Sequence, residues 1–260
     1  MKKVLFFLCL LPCMQLSAQF KMPPYTASDM GYKGPVKTVT TYYEDNVNGM
    51  PYTKVEHFNQ KGFLESYSVK GEMRYEEVVF HFDKSGRLTG ATEYTFDSIV
   101  TTFIYDKKGC IVGETNIHYM VDEGEIEYDT MSYENGPDCK PRLIRYKGGA
   151  LSTLTYDKNG RLVSRKSDDW IVEYTYDKAG HLTCENSGHG EFVDYYAYDN
   201  RGLLVQHREV HDGEETDVRK YTYLEPFDKY GNWLKCSTTY PAYEEEGEEL
   251  ILRTIEYYAK

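Results

Sequence analysis

The chain has 260 residues, 15% of them aromatic and 28% charged, and its formal net charge is −12. An acidic surface of this kind repels phosphate backbones and anionic lipids, so we expect no nucleic acid among its partners and no attraction to a membrane surface.

The N-terminus predicts export. Lys2 and Lys3 precede an apolar run from Val4 to Leu11, and small and polar residues follow, which is typical of a secretory signal peptide cleaved after Ala18. The run is shorter than the roughly 20 apolar residues that span a bilayer, and no later stretch is apolar enough for a membrane helix. We therefore predict a signal peptide over residues 1–18 and a periplasmic, cell-surface or extracellular location of the Gram-negative type, without membrane insertion.

Seven segments of the mature sequence share one pattern: an aromatic residue, an acid or amide, two variable residues, a glycine, a variable residue and an apolar residue. They are FNQKGFL from Phe58, FDKSGRL from Phe82, YDKKGCI from Tyr105, YDKNGRL from Tyr156, YDKAGHL from Tyr176, YDNRGLL from Tyr198 and FDKYGNW from Phe227. Their glycines are Gly62, Gly86, Gly109, Gly160, Gly180, Gly202 and Gly231. The long interval between the third and fourth glycines indicates one or two degenerate copies, around YENGPDCK and YKGGAL.

Each copy reads as a hairpin turn. Aspartate at the first turn position hydrogen-bonds the backbone two residues on, and glycine supplies a positive φ. In this register Asp177 lies opposite His181, and Tyr176 lies opposite Leu182, so the aromatic and the leucine pack across each hairpin. Glu56 and Glu225 replace an apolar residue before the first and last turns, and we interpret them as polar caps at the ends of the repeat stack.

The connections between copies are acidic and contain glycine, as in VDEGE, NSGHGE and YEEEGEE. An antiparallel meander places these return loops along one rim and the glycine turns along the other. The turn rim then carries a row of lysines: Lys84, Lys107, Lys158, Lys178 and Lys229.

The seven segments resemble the YD repeat, also called the RHS repeat, from about Phe58 to Trp233. The resemblance implies strand-turn-strand units in a long curved antiparallel sheet, which closes into a shell around a toxic domain in large toxin members. The copies here are too few for such an enclosure, and the segment after Trp233 reads as one further hairpin. The chain is more similar to short secreted members of the family, for which the resemblance implies no activity.

We therefore predict an all-β protein, a repetitive antiparallel β-meander of YD-type hairpins forming one long twisted, curled sheet. The 26 tyrosines of the chain favour this class because their rings pack well on a pleated surface. The predicted segments are the signal peptide, a lead-in over residues 19–34 and a sheet domain over residues 35–260, with about 15 strands of ordinary length. Whether the sheet closes is left open by the sequence.

Four cysteines remain in the mature chain: Cys110, Cys139, Cys184 and Cys236. In an oxidising compartment they allow three complete pairings, and the sequence does not choose among them.

No metal or cofactor is expected. His207 and His211 lie four residues apart, but on a strand that spacing is about 13 Å, too far to share an ion. The acidic return loops contain calcium-binding residue types, yet none has the spacing of an EF-hand, so solvation is the favoured interpretation. The sequence contains no G-x-S-x-G, P-loop or G-x-G-x-x-G motif.

The sequence thus favours a non-enzymatic structural or binding module with an unknown protein or glycan partner. Exposed rings at Tyr105, Tyr156, Tyr176 and Tyr198 would instead indicate a surface factor that binds a carbohydrate or protein on a tyrosine-rich face. The competing interpretation makes these rings core, covered by the curvature of the sheet or by self-association with a second copy. A small secreted hydrolase with its site at the acidic rim is the third hypothesis.

Overall fold

The computed structural model describes residues 23–44, 50–72, 74–120, 124–240 and 248–259, so the predicted signal peptide lies outside the described residues. The described chain forms strands almost throughout. They are β1 (Val36–Tyr43), β2 (Tyr52–Phe58), β3 (Leu64–Gly71), β4 (Arg74–Phe82), β5 (Leu88–Tyr94), β6 (Ser98–Tyr105), β7 (Ile111–Met120), β8 (Glu125–Asn135), β9 (Pro141–Tyr146), β10 (Leu151–Tyr156), β11 (Leu162–Lys166), β12 (Ile171–Tyr176), β13 (Leu182–Ser187), β14 (Phe192–Tyr198), β15 (Leu204–His211), β16 (Glu214–Phe227), β17 (Trp233–Thr239) and β18 (Glu248–Tyr257). The described helical residues, Gly188–Gly190, form one short 3-10 turn, and no described helix has the length and apolarity to cross a membrane.

The all-β antiparallel meander is confirmed, and it closes into a barrel. Each strand pairs antiparallel with the next one in the chain, as β2 does with β3 and β9 with β10. The last strand, β18, then pairs with β1, for example at Val39 and Ile255, and β1 pairs with β2. Closure of the sheet leaves neither β1 nor β18 as a free edge.

The glycine turns connect the even-numbered strands to the next odd-numbered ones along one rim, which we call the YD rim. The seven repeat glycines have φ values between 76° and 100°, a region that costs other residues about 1–2 kcal/mol. In the turn after β12, Asp177 Oδ1 accepts hydrogen bonds from the backbone N–H of Gly180 at 2.7 Å and of His181 at 2.9 Å. Tyr176 pairs with Leu182 across a bulge, so aromatic and leucine share one face.

The β8–β9 turn is the degenerate copy that the long interval indicates. Asn135 pairs with Pro141 in the register of Tyr176 with Leu182, and Gly136 takes the place of the aspartate. Cys139 stands where other copies have glycine and keeps the positive φ, at 60°. Its sulfur is bonded to that of Cys110 in the neighbouring turn, so a disulfide joins two adjacent turns of the YD rim.

The remaining two thiols are not joined. Cys184 is half-buried and carries a free thiol, whereas Cys236 is buried and is not part of this disulfide. Of the pairings that the sequence leaves open, the structure therefore contains Cys110–Cys139 alone among the described cysteines.

The face that carries the repeat aromatics is the inner face of the barrel. Phe58, Leu64, Leu88, Leu162 and Leu182 on this face are all at most 2% exposed. Burying such side chains contributes roughly 1.5–3 kcal/mol each, which makes this layer the main core of the fold.

The lead-in covers part of the inner layer at the YD rim. Ala27, Met30 and Tyr32 are buried against Phe58 and Leu64. The lead-in also reaches the last turn of the rim: the Lys33 N–H donates to Asn232 Oδ1, and Asn232 Nδ2 donates to the Lys33 carbonyl, each at 2.9 Å. It therefore fixes the seam at which the two ends of the sheet meet.

The interpretation of Glu56 and Glu225 as end caps is wrong, because a closed barrel has no end strands. Glu56 is fully buried, and its Oε1 lies 2.7 Å from Lys54 Nζ. Glu225 lies within β16, which pairs on both sides with β15 and β17. In both copies the acid lies in a strand that is paired on both sides, so it does not cap an end of the sheet.

Candidate functional site

The four tyrosines predicted as a binding face lie on the inner face at the YD rim, half-buried. The hydroxyl of Tyr105 donates to the Leu88 carbonyl at 2.5 Å, and that of Tyr176 donates to the Leu162 carbonyl at 2.7 Å. Each bond runs from one repeat to the leucine of the repeat before it. These tyrosines therefore join neighbouring hairpins.

In several copies a side chain just after the glycine position covers the tyrosine of the next repeat. The Arg161 guanidinium lies 4.7 Å from the centre of the Tyr176 ring, and the His181 ring stacks on Tyr198 with centroids 4.7 Å apart. Arg142 lies 4.3 Å from the centre of the Tyr156 ring. Burial raises the pKa of Tyr156, Tyr176 and Tyr198 to about 12. Contact of these rings with a ligand stays a prediction, and their geometry favours packing.

Most of the exposed aromatics lie elsewhere, on the outer face of β4–β8 and in the turn after β5. We call this set the outer aromatic surface: Tyr75 is 45% exposed, Tyr94 42%, Phe96 86%, Tyr119 40%, Ile126 52% and Tyr128 59%. Strand register brings them together, because Ser98 pairs with both Tyr94 and Tyr119, and Tyr119 pairs with Ile126. A contiguous exposed apolar patch on a folded protein is a candidate interaction site.

A carboxylate lies at the edge of the outer aromatic surface. Glu77 on β4 pairs with Tyr94 on β5, and its Oε2 accepts a hydrogen bond from the Tyr75 hydroxyl at 2.9 Å. The surface thus offers flat rings beside a hydrogen-bond acceptor.

A second polar feature lies on the inner face of β13–β16. Strand register aligns Glu185 with Asp194, Asp194 with Glu209, and Glu209 with Asp217. We call these four residues the carboxylate row. Each of the four adjacent strands contributes one acid at the same height in the barrel.

Two cationic or hydrogen-bonding side chains contact the carboxylate row. His207 Nε2 lies 2.8 Å from Asp194 Oδ1, and His207 Nδ1 lies 3.8 Å from Glu209 Oε1. Arg219 Nε donates to Asp217 Oδ2 at 2.7 Å. Burial, together with the charge of Asp194, raises the pKa of Glu185 to about 7.

The sequence correctly separated His207 from His211, but it missed their cross-strand neighbours. His207 lies beside Asp194 and Glu209 on the inner face, half-buried. His211 lies at the return rim, exposed, beside Glu191 and Asp212. The loops suggested for calcium are only partly described, since residues 121–123 and 241–247 lie outside the described residues.

Glu93 on β5 is a second inner acid with a raised pKa. Burial, together with the nearby carboxylate of Glu76, raises the pKa of Glu93 from its ordinary value of 4.5 to about 7. The folded protein therefore binds a proton at Glu93 that the unfolded chain has released between about pH 4.5 and 7.

Stability should fall as the pH rises through that window, because the unfolded state binds fewer protons there. We expect Glu93→Gln to reduce the fall in melting temperature between pH 5 and pH 8, measured by circular dichroism. Glu185 keeps part of the slope, so the variant flattens it without abolishing it. Glu173→Gln, at an exposed outer position of β12, is the control and should leave the slope unchanged. An unchanged slope in Glu93→Gln would contradict the shifted titration.

Residues 130–229 match the family model described as Teneurin YD-shell. This part of the chain is similar to the YD-shell. The match begins within β8 and ends in the turn after β16, so it includes the degenerate β8–β9 copy with Cys139. The resemblance to the YD repeat is thereby confirmed. No curated protein matches the chain significantly in sequence.

Solved structures give more distant likenesses. A porin-like protein from Bacteroides uniformis has 13% identity and a TM-score of 0.48, over 86% of this chain and 99% of that one. The TcdB2–TccC3 structure has 12% identity and a TM-score of 0.40, over 80% of this chain and 12% of that one. The Tc holotoxin pore of Photorhabdus luminescens has 13% identity and a TM-score of 0.38, over 76% of this chain and 11% of that one. These likenesses are too distant to bring a function to this chain.

Proposed function

We propose that the protein is an exported, non-enzymatic YD-repeat module that binds a partner through the outer aromatic surface. The single observation that carries this proposal is the exposure of six large side chains on the outer wall of β4–β8, while the repeat tyrosines are engaged in packing. Rings exposed to this extent contribute less to folding than buried rings do, and a bound partner is a common reason for keeping a patch of them.

Export is supported by the Cys110–Cys139 disulfide, since such bonds persist in oxidising compartments. It is tested by mass spectrometry of the protein from the periplasm or medium. A mature N-terminus at Gln19 agrees with the proposal, and retention of residues 1–18 in the cytoplasm contradicts it.

Between the two partner classes, the outer aromatic surface favours a carbohydrate. Sugar rings stack on tyrosine and phenylalanine faces, and carboxylates such as Glu77 accept hydrogen bonds from their hydroxyls. A protein partner, or a second copy of this chain, would use the same rings and is the alternative outcome of the binding test.

Removing two rings should weaken binding without unfolding the protein. We expect Tyr94→Ala with Tyr128→Ala to weaken glycan binding on an array by at least about tenfold, with an unchanged melting temperature because both side chains are exposed. Tyr195→Ala is the matched control: this residue is 39% exposed on the outer face of β14, outside the surface.

The alternative hypotheses, a protein partner, a different binding site and an enzyme, predict different results. If the protein instead captures another protein or forms a dimer, and the same double variant abolishes this, the partner is a protein and not a carbohydrate. Equal loss in Tyr195→Ala would show that the surface is not the binding site. Turnover of nitrophenyl glycosides by the purified protein would overturn the non-enzymatic assignment.

A further inference from the structure

The inner wall of β14 and β15 brings together three metal-ligating side chains. A carboxylate oxygen of Asp194, a ring nitrogen of His207 and a carboxylate oxygen of Glu209 all lie within 4.8 Å of one another. Bond lengths of about 2.0–2.2 Å place two ligands of one ion at most about 4.4 Å apart, so small side-chain movements would bring the three atoms onto one ion. Asp194 and Glu209 are direct cross-strand partners, and His207 lies two residues before Glu209 on β15. The pairing of the two strands therefore places all three side chains on the same face.

The neighbouring strand provides an independent sign of a missing ligand. Asp217 lies opposite Glu209 on β16 and is only 9% exposed. Its Oδ2 accepts from Arg219, but its Oδ1 is buried without a hydrogen-bond partner in the described part of the chain. A buried carboxylate oxygen left unpaired costs about 1–3 kcal/mol or more, and a cation beside it removes that cost.

The charges of this region also favour a cation. Four carboxylates lie side by side in the carboxylate row. Among the described residues with an ion pair to the row, the one permanent cation is Arg219, which lies 2.7 Å from Asp217 Oδ2 and 3.8 Å from Glu209 Oε1. Asp194, His207 and Glu209 are all half-buried, so the set combines partial desolvation with a path for an ion to enter.

We propose that Asp194, His207 and Glu209 form a binding site for a divalent transition-metal ion on the inner wall of the barrel. Imidazole with two carboxylates suits zinc, cobalt or manganese, whereas calcium and magnesium prefer oxygen ligands alone. The ion takes the place of a proton between His207 Nε2 and Asp194 Oδ1, which lie 2.8 Å apart. Asp217 lies opposite Glu209 on the next strand and is not one of the three proposed ligands.

The site is tested with the oxidised protein in a Cys184→Ser background, which removes the half-buried free thiol as a ligand. Co²⁺ is added while its visible d–d absorption is recorded, and Zn²⁺ is titrated by calorimetry. We expect one ion per chain. Asp194→Asn and Glu209→Gln should each weaken binding by at least about tenfold, and His207→Ala should change the Co²⁺ spectrum because a nitrogen ligand is lost.

The exposed set at the return rim is the matched control. His211→Ala removes the histidine of the Glu191, His211 and Asp212 group and should leave affinity and spectrum unchanged. No binding at millimolar metal, or binding lost in His211→Ala and retained in His207→Ala, would overturn the proposal. Circular dichroism of each metal-free variant verifies folding, and Glu209→Gln alone decides the matter if His207→Ala does not fold.

Discussion

Replacing Glu56 with glutamine should lower the free energy of unfolding by about 3–5 kcal/mol. The side chains of Lys54 and Glu56 are only 6% and 1% exposed, with Lys54 Nζ 2.7 Å from Glu56 Oε1. The Tyr32 hydroxyl donates to Glu56 Oε2 at 2.5 Å. Glutamine keeps an acceptor for Tyr32 but leaves the Lys54 ammonium buried without a counter-charge. Urea denaturation followed by circular dichroism measures the loss.

An exposed ion pair on the same barrel gives the control. Lys37 and Glu256 are 54% and 63% exposed and 4.0 Å apart, so Glu256→Gln should change stability by less than about 1 kcal/mol. The double variant Lys54→Met with Glu56→Gln should recover most of the loss, because no unpaired charge remains buried. A loss in Glu56→Gln no larger than in Glu256→Gln would mean that water reaches the inner face of β2.

The turns could be predicted from the sequence because their cause is local. Five consecutive residues set each one: the side chain of Asp177 accepts from two backbone N–H groups, and Gly180 takes the positive φ. The pairing of Tyr176 with Leu182 then follows from hairpin geometry alone. No contact with a distant part of the chain is needed for either feature.

Closure and the carboxylate row could not be predicted in this way. Closure depends on the pairing of Val39 with Ile255, more than 200 residues apart, and on the summed twist of every strand between them. The carboxylate row depends on the register across three successive hairpins. A slip of one residue in any of them would turn an acid to the other face.

The outer aromatic surface was missed for a related reason. Half of its six residues lie between Ile117 and Tyr146, where no YD segment marks which face is inner. Ile126 and Tyr128 alternate with Glu125 and Glu127, which indicates a strand but not the direction in which its rings point. Pairing of Tyr119 with Ile126 settles the face, and that pairing depends on the β7–β8 connection.

Loss of the Cys110–Cys139 disulfide should destabilise the protein by about 3.5 kcal/mol. The bond closes a loop between residues 29 positions apart, and the entropy that it removes from the unfolded chain corresponds to that value. Cys110→Ser and Cys139→Ser should each cost as much as the double variant, because either one breaks the bond. Urea denaturation under non-reducing conditions measures the effect.

Cys139 allows a second, sharper comparison, because it occupies the glycine position of its turn with φ 60°. Cys139→Gly should lose less stability than Cys139→Ser, by up to about 1 kcal/mol, since glycine adopts this conformation without the steric cost borne by serine. Cys184→Ser, which removes a free thiol, should be close to neutral. Equal losses of stability for glycine and serine at position 139 would show that the degenerate turn does not require left-handed backbone there. The stability of this turn would then depend on the disulfide instead of on the turn geometry.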